Sequence, residues 1–456
     1  MFVSGNPMRH VAVMSFTTSV GLMAIFFVDL IDMVFISMLG DEALAAAVGF
    51  AGTILFFTTS ISIGISIAAG ALASRALGAG NSERARHQAT SVLVLGVAAA
   101  ILTMIAVFAL MGPILDFLGA TGRTRDLAVD YLTIILPSMP ILMAAMVAGA
   151  VLRAHGDARR AMMSTLAGGA VNAVLDPILI FGAGLELQGA AIASVLARVT
   201  IFFVAFVPAL RVYRGFSRPK LHTLAVDARP VFAIAGPAML TNIATPIGTA
   251  IVTREIARFG PDAVAGMAMI ARLTPVAFSV VFALSGAIGP IIGQNAGAER
   301  PDRVRETFLA GLRFVAAYVA CVMVILFFLR APLADLFGAE GVARDLVYLF
   351  CIGLALGFAF NGAIFVCNAA FNNLGHPLYS TSINWGRHTL GTWPLAIAGA
   401  ALYGAQGVLI GQALGGALFA AIAIVLALRI ITGTKGKSSP ELAFPAREHV
   451  VESRRL

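Results

Sequence analysis

GDEALAAAVGFA at residues 40–51 returns as GPDAVAGMAMIA at residues 260–271, and the loop from Gly78-Ala79 to Arg86 returns between Gly297-Ala298 and Arg305. The offsets are 220 and 219 residues, and an apolar stretch of equal length separates the two motifs in each copy. A third pair, Arg153-Ala-His-Gly-Asp157 and Asn373-Leu-Gly-His-Pro377, falls in the same frame. Self-similarity held over whole elements marks an internal duplication. A copy of about 220 residues has room for six membrane-crossing helices. Six is even, so both copies share one orientation and are related by an axis along the membrane normal.

Composition places the duplication in a membrane. The chain is 59% hydrophobic and 12% charged, against roughly 25% charged for a soluble domain. Apolar runs of helix length recur from His10 to Ile431, which is the signal of spanning helices rather than the weaker alternation of a barrel. Twelve are expected, beginning near residues 11, 43, 88, 127, 161, 188, 230, 263, 306, 344, 380 and 406. The fold class is therefore an all-α membrane protein of two six-helix lobes. The N-lobe is expected over 1–210, a cytoplasmic linker over 211–229, the C-lobe over 230–431 and a cytoplasmic tail over 432–456. The first apolar run is too long for a cleavable leader and contains Asp29 and Asp32, so it is read as helix 1.

The net charge of +8 does not point to nucleic acid, because its basic residues alternate between loops. One side collects Arg75, Arg84, Arg86, Arg153, Arg159, Arg160, Arg211, Arg214, Arg218, Lys220, Arg229, Arg300, Arg303 and Arg305. The other has Arg123, Arg125, Arg254, Arg258, Arg330 and Arg344. By the positive-inside rule the first side, with both termini, is cytoplasmic. Cys321, Cys351 and Cys367 lie within apolar runs without ligand spacing and read as small core residues. His155 and Asp157 sit in a basic loop with no nucleophile beside them and read as a solvated turn.

The chemistry concentrates in GAVNAVLDPILIFGAG, residues 169–184. Asn172 and Asp176 are four apart and share one helix face. Pro177 has no N–H and frees the carbonyl of residue 173 beside the carboxylate. An acid at mid-membrane costs roughly 2.5–3.5 kcal/mol on insertion scales, so it marks a functional site with a proton or small cation as partner. Asp29 and Asp32 add two more acids on helix 1; Asp32 either joins the site or snorkels to the outer interface. The second copy has Thr249 and Val252 at the matching positions, and carries Arg272, Arg387 and His388 in or beside apolar runs instead. The first lobe is therefore expected to couple an ion, and the second to shape the cavity, with Arg387 either lining it or anchoring a helix end.

VDLIDMVFISMLGDEALAAAVGF, VNAVLDPILIFGAG, LQGAAIASVLAR and GAIGPIIGQNAGAERPDRVR, in that order within a duplicated frame, resemble the multidrug and toxic compound extrusion (MATE) family over about residues 8–430. The resemblance implies a V-shaped pair of lobes around a central cavity. It also implies a proton or sodium site at Asp29, Asn172, Asp176 and Ser194, with Tyr131 close by and no further cofactor. It departs at two points: Met14 stands near where some members have a helix-bending proline, and Thr245 where others have an acid. The implied function is export of cationic or amphipathic drug-like molecules by exchange for the ion, from a multi-pass monomer among the lipids of the bacterial inner membrane. A flippase for lipid-linked oligosaccharide or peptidoglycan precursor is the alternative; a membrane-embedded enzyme would need a nucleophile–base pair or metal set, which the chain lacks.

Overall fold

The computed structural model describes residues 2–433, so nearly all of the tail expected at 432–456 lies outside the described residues. The described chain is helical, in two lobes. The N-lobe contains α1 (Pro7–Met38), α2 (Glu42–Gly78), α3 (Ser82–Leu118), α4 (Gly122–Ala154), α5 (Ala158–Gly182) and α6 (Glu186–Arg211). The C-lobe contains α7 (Leu221–Ala257), α8 (Pro261–Gly297), α9 (Pro301–Leu336), α10 (341–373), α11 (377–402) and α12 (405–433). Connection 212–220 joins the lobes. It is shorter than the expected linker because α7 starts at Leu221 and residues 221–229 form its first turns.

The last two helices show how an unbroken apolar run becomes two crossings. Pro377–Gly433 is apolar along 57 residues, yet the backbone turns at Tyr403 (φ −135°, ψ 18°) and Gly404 (φ 61°, ψ −142°). Only glycine takes the second of these conformations readily. The halves fold into an antiparallel hairpin in which Gly399 meets the Gly407 carbonyl, Gly411 that of Leu395 and Gly415 that of Gly391. Small residues let the two backbones touch, as membrane helices require in the absence of a hydrophobic driving force.

The duplication extends to the irregularities. Helices α2 and α8 have 37 residues each. A 3₁₀ turn interrupts α4 at Leu136–Ser138 and another interrupts α10 at Leu354–Leu356. In α4 the break coincides with Pro137 and Pro140, whereas α10 has Gly353 and Gly357 there. A π turn ends α5 at Ile178–Gly182, and another lies within α11 at Arg387–Thr392. Helix α1 runs unbroken past Met14.

Apolar packing gives the lobes their V shape. At the end where the described chain begins, here the near end, single cores span both lobes: Val11 and Met14 pack with Leu284 and Phe308, and Ile65 and Leu72 with Val231 and Ile234. At the far end the cores are separate, one built from Ile36, Leu44, Met111 and Leu132 and another from Val252, Ile256, Leu346 and Val408. The lobes therefore meet at the near end and part at the far end. A cleft of about 680 Å³ opens there between Phe56 of α2 and the Thr245, Thr249 and Thr253 face of α7.

The apex of the V is a backbone crossing of α2 and α8. Gly78 abuts the Gln294 carbonyl and Gly297 abuts the Arg75 carbonyl, so a Cβ at either glycine would overlap backbone. Each pair maps onto the other at the 219-residue offset, which puts the pseudo-twofold axis through this crossing. The chain's first residues cover it. The Phe2 amide donates to Gln294 Oε1 (3.0 Å), Asn295 and Arg303 donate to the Phe2 carbonyl, and Arg300 donates to that of Val3.

Candidate functional site

The N-lobe acids meet where α1 lies along α5. Gly21 faces Thr165, and Ala24 and Val28 face Gly169; continuing that ridge by one turn brings Asp32 to Asn172, and Phe35 follows against Phe181. Asn172 Nδ2 donates to Asp176 Oδ2 at 2.5 Å and to Asp32 Oδ1 at 3.1 Å. One amide thus bridges two carboxyls from different helices. The Asp32 and Asp176 carboxyls are thereby neighbours, held by the one shared amide. Asp176 is fully buried, Asn172 is 4% exposed, and Asp176 Oδ1 has no donor among the described residues. Pro177 and the π turn after it end the α-helical ladder directly beside the carboxylate, a backbone irregularity often found at functional sites.

Asp29 stands apart from this set. It is exposed, and its charged neighbour is Asp32. The sequence grouped Asp29 with Asn172 and Asp176 and left Asp32 optional; the geometry reverses the two. Val28 packs on α5, so its successor is turned about 100° away, whereas residue 32 returns to the same face.

Ser194 and Tyr131 join the site from α6 and α4. Tyr131 lies near the Ser194 hydroxyl and close enough to Asp32 and Asp176 to feel their charge. One turn beyond Ser194, Arg198 donates to Ser138 Oγ (2.8 Å) and to the Ile135 carbonyl (3.4 Å) at the 3₁₀ turn of α4. This arginine was missed in the sequence, although its signal was present: it closes LQGAAIASVLAR four residues after Ser194. It supplies a donor to the Ile135 carbonyl beside the helix break, which also accepts from Ser138 Oγ.

Arg272 and Arg387 do not reach these residues. Arg272 is exposed on α8, and Arg387 is partly exposed on the π turn of α11. Beside it His388 is 3% exposed, packs on Gly248 of α7, and has no hydrogen-bond partner on either ring nitrogen among the described residues. At the near end, the His155–Asp157 turn is structural. Asp157 caps α5 through the Arg160 amide (3.0 Å) and accepts from the Arg160 guanidinium (2.7 Å) and the Tyr213 hydroxyl (2.8 Å). Burial alone would raise its carboxyl, but these donors together hold it below the usual aspartate range.

The family model described as MatE matches residues 17–178 and again 237–392, once on each lobe. The chain is a MATE family transporter. As in that family generally, it is a multi-pass membrane protein that moves solutes and not an enzyme. Among relatives, this MATE chain is 30% identical to a FAD transporter of Shewanella oneidensis over 94% of its own length and 96% of that protein's. It is 23% identical to the multidrug export protein MepA of Staphylococcus aureus, over 74% of this chain and 76% of MepA. Among solved structures, the Vibrio cholerae MATE transporter VcmN in its bent form superposes with a TM-score of 0.88 at 26% identity, covering 94% of this chain and 98% of that one.

Proposed function

We propose that this MATE chain is a secondary exporter in which a proton or sodium ion returning through Asp32, Asn172 and Asp176 drives an amphipathic organic cargo outward. The observation that carries the reading is the amide of Asn172 bridging two carboxyls on separate helices. With a proton on the pair, Asp32 and Asp176 hold α1 against α5. Without it, two negative charges in contact repel each other in a low-dielectric setting. Ion occupancy thereby biases the α1–α5 joint, and a differential affinity of this kind is what shifts a two-state equilibrium. Tyr131, Ser194 and Arg198 border the site from α4 and α6.

The clustering of arginines at the near end supports placing that end and both termini in the cytoplasm of a bacterial inner membrane. The cleft then faces outward, and the protein works as a monomer. Two cargo readings have support. A cationic or amphipathic drug is favoured by the likeness to MepA. A flavin dinucleotide is favoured by the relative that matches nearly the whole chain. The test is reconstitution of the full-length protein in liposomes with ethidium or FAD, under an imposed proton gradient with and without sodium. Gradient-driven accumulation of either compound supports the exporter; equal movement with and without both gradients sinks it.

A further inference from the structure

Arg153 ends α4 where the lobes meet, in the stretch read from sequence as a basic loop. Its side chain does not turn outward to the near end. It runs back along α4, so that Nη1 lies 3.4 Å from where a Cβ on Gly149 would sit and Nε 3.9 Å from the same point on Gly286 of α8. The guanidinium therefore lies between the lobes, about one turn deeper than its own Cα, in space left by one glycine from each lobe.

What surrounds it has two sides. Toward the near end the seal is closed: Ala154, Gln294 and Asn295 are fully buried, Phe2 is 6% exposed, and Gln294 Nε2 donates to the Ala154 carbonyl at 2.7 Å. Toward the far end Ser285 and Gly286 of α8 are exposed. The partial exposure of Arg153 is consequently assigned to the side on which the lobes part. Among the described residues no hydrogen bond or ion pair uses its donors. Arginine carries five N–H donors, no acceptor and a permanent charge, and within a membrane such a group is ordinarily paired. Here the partner has to come from the cleft.

The geometry points to Arg153 as a cargo-binding residue on the cleft floor that takes an oxyanion, and of the two cargo readings above this selects the phosphate-bearing flavin nucleotide. Guanidinium geometry matches phosphate through paired, charge-assisted hydrogen bonds, whereas an organic cation at the same place meets like charge. The acids and Arg153 then divide the work, ion on the N-lobe and phosphate between the lobes. An anion and a proton do not compete for one charge, so exchange runs through the movement of the lobes rather than through a shared site. This inference rests on the exporter reading, and equilibrium binding without any gradient separates the two.

Purified full-length protein is titrated with FAD, FMN, riboflavin and ethidium, following flavin or ethidium fluorescence. The expected result is FAD and FMN binding ~10-fold or more tighter than riboflavin, with inorganic pyrophosphate competing. Arg153→Gln closes that gap, Arg153→Lys keeps part of it, and ethidium binding is no weaker in either. Riboflavin binding the wild type as tightly as FAD, or a gap that survives in Arg153→Gln, overturns the assignment. Should Arg153→Gln not fold, the wild-type flavin series and the pyrophosphate competition decide alone. A protein that shows the gap yet accumulates nothing under a gradient refutes the exporter and leaves the phosphate site standing.

Discussion

Replacing Asp32 with asparagine removes an ionisable group while nearly keeping its shape. Asn172 Nδ2 reaches Asp176 at 2.5 Å and residue 32 at 3.1 Å, and an asparagine at 32 still offers a carbonyl oxygen to that amide. The cost in stability is therefore that of weakening one hydrogen bond, about 1 kcal/mol, and the variant folds. The cost in coupling is complete. A gradient equivalent to 100 mV supplies about 2.3 kcal/mol per charge, a cargo ratio of roughly fiftyfold for one-for-one exchange, and without a titratable pair that ratio falls to about one. The assay is cargo accumulation in proteoliposomes under an imposed gradient, alongside a thermal melt. Asp176→Asn should behave as Asp32→Asn does, while Asp29→Asn, outside the hydrogen-bonded set, retains most accumulation. Wild-type accumulation in Asp32→Asn, or coupling lost in Asp29→Asn alone, refutes the assignment of the pair.

Other substitutions test the frame around the site. Gly297→Ala forces a Cβ into the Arg75 carbonyl at the α2–α8 crossing; hydrogen exchange at residues 75–80 and 294–298 should rise, and Gly78→Ala should give the same pattern on both helices of the crossing. Arg198→Gln shortens the donor that holds Ser138 and the Ile135 carbonyl and should lower stability by about 1–3 kcal/mol in a denaturant series. Asp157→Ala removes the α5 cap and should cost about 0.5–2 kcal/mol. Because the Asp157 carboxyl is held below the ordinary 3.8, its contribution is present at neutral pH and lost as pH falls through the acid range. The acid limb of a melting-temperature profile should therefore flatten in Asp157→Asn.

Much of the architecture was legible in the sequence because it was written twice. The repeated loop motifs fixed the frame, and apolar length fixed the crossings, even across the 57-residue run that Tyr403 and Gly404 divide. The Asn172–Asp176 pair was legible because both residues lie on one helix. Its partner on α1 was not, since choosing between Asp29 and Asp32 requires knowing which face meets Gly169. Periodicity gives the spacing of faces and leaves open which neighbour each one meets. Arg198 escaped notice because its partners, the Ile135 carbonyl and the Ser138 hydroxyl, lie on another helix where α4 breaks into a 3₁₀ turn. The inward course of Arg153 was hidden by its place at the end of a basic cluster, where charge counting assigns every arginine to the loop.

The strap of residues 2–5 across the apex sets an order of assembly. The Phe2 amide waits for Gln294, 292 residues later in the chain, so this segment finds its partner long after it is made. N-terminal domains commonly form first during synthesis, and an N-lobe inserted by itself has no strand of α8 to close upon. Its near end stays unsealed until the second lobe is in the membrane. Completion of the closed state thus reports that the chain has been made through α8 and the start of α9, and a product lacking α8 cannot seal.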